Sequence, residues 1–203
     1  MSMKLLKAYS INEYSKWCKE NTSWITDRLD VKCPVKIDES IREDNITGKY
    51  IPVEGITIYI RNIYKTSKSE NFLKYSFIKT LVHECVHYIK GAIDRRKANG
   101  TDIFISETDC DLRTCTILKN IDQKDWEFHG VSDASLYITK AIMDTLAKVY
   151  VCKTRYKIKY NLTISKYIVD AMDILVNSVD VLSANFARNS TLAPMYMFKG
   201  GHE

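Results

Sequence analysis

The chain has 203 residues, 45% of them hydrophobic, enough to build a core and too apolar for a disordered polymer. Its net charge is +5 with 27% charged residues, and the lysines are scattered, so nucleic acid is not the expected partner. Six cysteines without a C-x-x-C pair, an N-terminus without a signal-peptide pattern and no apolar run of membrane length set the expectation of a reducing, cytoplasmic setting without membrane contact.

In chain order, Ser10-Ile-Asn-Glu13 spells a capping box, and Ile11, Tyr14, Cys18, Ile25 and Leu29 follow at roughly helical spacing. Residues 34–41 (PVKIDESI) read as extended and Asp44 to Gly48 as a turn. The run GKYIPVEGITIYIRNIY, 48–64, is rich in β-branched and aromatic residues and predicts two strands broken between Pro52 and Gly55. Ser67 and Glu70 spell a second capping box, and Phe72, Phe77, Leu81, Cys85 and Ile89 are apolar positions of the helix that follows, which ends near Gly91. A turn at Asn99-Gly100 leads to a helix over 105–120. Ser132 can cap a helix through about residue 152, with the basic stretch KTRYKIK, 153–159, as a solvated end. Thr163 or Ser165 can cap a last helix, whose apolar seam is Ile168, Met172, Leu175, Val179, Leu182 and Phe186. These elements predict an α+β protein. A core spans 1–125, and a helical C-terminal region, 126–203, packs on it as one domain.

The chemistry concentrates in the helix predicted between Ser67 and Gly91, where residues 83–87 read HECVH. Residues four apart share one helix face, so His83 and His87 can direct their imidazoles at one ion. Glu84 sits one position round from His83, where it can reach a water at that ion and take its proton. The neighbours Val82, Cys85 and Val86 are apolar, as a buried helix requires.

A catalytic zinc needs a third protein ligand and one open position. An extended HExxHxxGxxH motif fails, because Lys90 and Ile93 stand at its glycine and third-ligand positions, with Asp94 one residue off. His129, in the loop EFHGVSD, is a second source, and Glu107, in SETDCD, a third. Glu107 and Asp111 are four apart on one face; one carboxylate can ligate while the other accepts an imidazole N–H.

H-E-x-x-H followed by E-x-x-x-D resembles the gluzincin class of zinc metallopeptidases. The stretch G48-KYIPVEGITIYI before FIKTLVHECVHYI resembles the compact ImmA/IrrE-type peptidases of bacteria and phages. The resemblance implies a zincin-like core, a small sheet beside the active-site helix, and a zinc ion held by His83, His87 and Glu107. By the same resemblance Glu84 is the general base, Asp111 supports a ligand histidine, and the substrate is a peptide or protein. The strand GITIYIRN is then expected to edge the cleft and pair with extended substrate. His129, Tyr88 and Tyr137 are candidate donors to the oxygen that gains charge during hydrolysis. The pattern departs from the family at Val86, where a glycine is usual, and at Cys110-Asp111. Two other readings are an inactive zincin-like protein that binds metal or partners, and a phage or viral structural or nucleic-acid-binding protein.

Overall fold

A computed structural model describes residues 9–66, 69–91 and 98–157. The chain divides into two compact units, Met1–Val149 and Tyr150–Glu203. The described part of the second runs from Tyr150 to Lys157 and carries the end of one helix and a bend at Tyr156. The helix expected beyond Thr163 lies outside the described residues.

Helix α1 (Ile11–Arg28) begins where the sequence places it. The Glu13 amide donates to the Ser10 hydroxyl at 3.2 Å, and the Ser10 amide donates back to the Glu13 carboxylate at 2.9 Å. These reciprocal bonds satisfy amides that the first turn leaves without partners. The buried face carries Tyr14, Cys18 and Ile25, and the Tyr14 hydroxyl donates to the Leu73 carbonyl at 2.9 Å.

Strand β1 (Val35–Asp38) falls within the extended segment. The two strands expected over 48–64 are β2 (Gly48–Ile51) and β3 (Gly55–Tyr59). The break at Pro52–Glu54 is sharp, with Val53 at φ 78° and Gly55 at φ 98°. A side chain at Gly55 would run into the Pro34 carbonyl, so glycine is required there. The sheet has the order β1-β3-β2; β1 runs parallel to β3, and β2 antiparallel to it. The expectation that β3 edges a cleft is therefore corrected. β3 is central and hydrogen-bonded on both sides, and β2 is an edge strand. Strand β3 is also shorter than the apolar run that contains it, because residues 60–64 coil into helix α2 (Ile60–Tyr64). Ile60 and Ile63 enter the core. The Asn62 amide donates to the carbonyls of Arg42 (3.1 Å) and Ile46 (2.8 Å), tying down the loop before β2. A strand would point that amide elsewhere, so the long-range bonds favour the helix over the β propensity of IRNIY.

Helix α3 (Glu70–Lys90) is capped by Ser69, whose hydroxyl accepts from the Phe72 amide, and ends at Gly91 with φ 84°. Ser67 lies outside the described residues. Leu73, Phe77, Ile78, Leu81, Val82 and Cys85 are buried in the central core with Ile56, Ile58 and Tyr14. Helix α4 (Gly100–Lys119) starts earlier than expected. Asn99, read as a turn residue, forms a capping box with Asp102, and Gly100 is the first helical residue. Helix α5 (Gln123–Phe128) carries the buried Trp126, and helix α6 (Ala134–Arg155) covers the span predicted to follow Ser132. The architecture is α+β and mostly helical, with six helices and a three-stranded mixed sheet among the described residues. None of these helices is long and apolar enough to cross a membrane.

Candidate metal centre

Helix α3 turns two faces to its surroundings. The apolar face faces the core, and a polar stripe that includes His83 and His87 faces a cleft of about 1160 Å³. Residues 45–52, including β2, line the cleft too, with Glu107 and Asp111 from α4.

Three donor atoms converge there. His83 Nε2 lies 3.1 Å from Glu107 Oε2 and 3.1 Å from His87 Nε2; His87 Nε2 lies 3.4 Å from Glu107 Oε2. This group could hold a metal ion. Ligand atoms about 2.0–2.1 Å from a tetrahedral ion stand roughly 3.3 Å from one another, the spacing of these three. Two neutral imidazoles and one carboxylate form a donor set of intermediate softness that suits zinc and its first-row neighbours.

The outward nitrogens are held as well. His83 Nδ1 lies 3.1 Å from Asp111 Oδ1, and the other oxygen of Asp111 accepts from the Lys148 ammonium of α6 at 2.6 Å. His87 Nδ1 lies 3.4 Å from the Cys110 sulfur. In the ligating tautomer each Nδ1–H donates outward, to a carboxylate on His83 and to a thiol on His87, and both Nε2 lone pairs face inward.

The electrostatics agree with this geometry. Burial works against a charge on His83, but its bonds to Asp111 and Glu107 and the nearby Glu84 charge prevail, and its pKa rises to about 9. For Glu107 burial favours the neutral acid; hydrogen bonds and charge from His83 and His87 overcome it and hold the carboxyl well below its usual range. Asp111 is likewise lowered, burial being outweighed by His83 and Lys148. Burial pushes the Cys110 thiol up to about 12, so it stays protonated beside His87.

Glu84 stands outside the donor cluster but in the same cleft, and is only 7% exposed. Its carboxylate is set against Gly48. A Cβ at Gly48 would stand 3.0 Å from Glu84 Oε1 and 2.7 Å from the Thr80 methyl, so only glycine lets β2 approach α3 this closely.

Of the other sequence candidates, none of Tyr88, His129 and Tyr137 lines the cleft. The His129 ring stacks on Trp24 at 3.8 Å between centroids, and its Nδ1 pairs with Asn21 of α1. Tyr137 packs edge-on against Phe72, and Tyr88 edge-on against Tyr50. Position 93 and Asp94 lie outside the described residues. Sequence reasoning missed Cys110, Lys148 and Gly48. Cys110 had a usable signal, since it lies one turn after Glu107 on the same helix. Lys148 had none, because its partner lies on another helix. Comparisons of the chain with protein-family models, with curated proteins and with solved structures found no match.

Proposed function

We propose that the protein is a zinc-dependent metallopeptidase with a zincin-like core, in which His83, His87 and Glu107 hold the ion and Glu84 is the general base. One observation carries this reading. Three donor atoms meet at 3.1–3.4 Å, the rear nitrogens of both histidines are already engaged, and a further acidic side chain, Glu84, not needed for ligation, lies in the same cleft. A purely structural metal site has no use for Glu84 there; a hydrolase does.

The bound ion would supply Lewis acidity, polarising the substrate carbonyl and making water a better acid. The chain's own residues do the rest. Glu84 takes a proton from the attacking water and returns it to the departing amine, a carboxylate acting as base and then as acid. Asp111 and Cys110 keep the two imidazoles oriented, and Lys148 keeps Asp111 in place. Strand β2 borders the cleft, bonded to β3 on one side, and its other edge supplies backbone groups for an extended peptide.

The test is Glu84→Gln. The variant should bind about one zinc per chain and lose peptide hydrolysis by roughly 100-fold or more. Loss of metal in this variant, or unchanged turnover, would contradict the assignment. Purified protein that carries iron, or no metal, would contradict the zinc reading itself.

A further inference from the structure

We propose that the cleft selects substrates by a carboxylate two residues from the bond that is cut, and that Lys79 binds it. The proposal rests on the peptidase reading above and adds to it the substrate class.

The cleft-lining face of α3 is a stripe: Phe72, Ser76, Lys79, Thr80, His83 and His87. These positions repeat at helical spacing, so the cleft runs along the helix axis, with β2 beside it. Lys79 stands four residues before His83. A helix rises 1.5 Å per residue, which puts Lys79 about 6 Å along the axis from the metal ligand. An extended peptide advances about 3.3 Å per residue, so that distance is about two substrate residues.

What marks Lys79 is its lack of a partner. Three other lysines of α3 and α6 are committed: Lys74 to Glu70, Lys90 to Asp109 and Lys148 to Asp111. Lys49, on the β2 side of the cleft, lies over the Tyr59 ring at 5.9 Å. Lys79 is half-buried and, among the described residues, has no hydrogen bond or ion pair. Of the three acids that line the cleft, Glu84 is the proposed base, Asp111 is engaged by His83 and Lys148, and Glu107 by the two histidines. A cationic side chain that lines a cleft without an ion-pair partner gains most from an anionic ligand that brings its own oxygens. A substrate can supply the carboxylate from an Asp or Glu side chain or from its own C-terminus.

The experiment uses the full chain loaded with zinc and paired peptides that carry Glu or Gln at each position flanking the cut. Each pair is made with a free and an amidated C-terminus. Glu at the second position on one side should raise kcat/KM about 10- to 100-fold over Gln, the worth of a charged hydrogen bond. If the C-terminus is the source, amidation produces that loss instead, for peptides ending at the same position. Lys79→Met should abolish the preference and Lys79→Glu should turn it toward Lys, both with metal content retained. Cleavage indifferent to either carboxylate, or a preference that survives in Lys79→Met, overturns this inference and leaves the peptidase standing. Absence of cleavage of every peptide overturns both.

Discussion

His83 touches three other members of the site, and its ionisation sets how a metal enters. Its pKa is raised from 6.5 to about 9 by Asp111 and Glu107. A raised pKa means that the proton stabilises the metal-free fold. That contribution is complete below about 6.5 and is lost as pH rises through about 9. A metal must displace the same proton. At pH 7 zinc binding should release about one proton, and affinity should climb with pH until about 9. Calorimetry in buffers of different ionisation enthalpy measures both, and flat affinity across that window would contradict the coupling. His83→Ala and His87→Ala each remove a donor and should abolish stoichiometric zinc. His129→Ala should keep it, because that ring stacks on Trp24 and lines no part of the cleft. Its cost should be stability, on the order of 1 kcal/mol, read as a lowered Tm.

At the scale of elements, the centre is a joint between α3 and α4, braced from behind by α6. Helix α4 contributes Glu107, Cys110 and Asp111 within little more than one turn, and each meets a histidine of α3. Asp111→Asn should cut zinc affinity or turnover by about 10- to 100-fold, since an amide holds the His83 N–H less firmly. Glu107→Ala should weaken zinc more, as it removes a ligand. Lys148→Ala should have the smallest effect of the three, a few-fold, because the Lys148 side chain is 46% exposed and its pairing is screened by water. Zinc affinities of these variants, measured side by side by chelator competition, test the order. An Asp111→Asn loss smaller than that of Lys148→Ala would show that Asp111 does not act through His83.

For the whole molecule, the core holds the sheet, α1 and the inner face of α3 together, so the polar stripe of α3 rests on a packed support. That arrangement makes metal binding a stability effect. Ligand binding to the folded state alone at 100 times Kd adds about 2.7 kcal/mol, which for a unit of this size raises Tm by roughly 5–10 °C. Zinc should produce that rise in the wild-type chain and none in His87→Ala. A chelator should reverse it. Equal melting with and without zinc, at saturating metal, would contradict a site built from these three side chains.

Local signals were legible in the sequence. The Ser10 capping box, the strand break at Pro52–Gly55 and the helix carrying HECVH ending at Gly91 all stand where residue spacing places them. They follow from chemistry within one or two turns of chain: a hydroxyl within reach of a free amide, a proline without an N–H, a glycine at positive φ. The pairing of His83 with His87 is of the same kind, a consequence of helix pitch. The third donor was of another kind. Spacing alone left His129, Asp94 and Glu107 open, and a resemblance favoured Glu107. The structure brings Glu107 to His83 across a separation of 24 residues, while Trp24 and Asn21 hold His129 elsewhere. The edge strand, the coiling of 60–64, the thiol behind His87 and the ammonium behind Asp111 were decided only by the tertiary structure. Each depends on which segment packs beside which. Chain-distant contacts such as Lys148 to Asp111, 37 residues apart, leave no periodic trace in either segment.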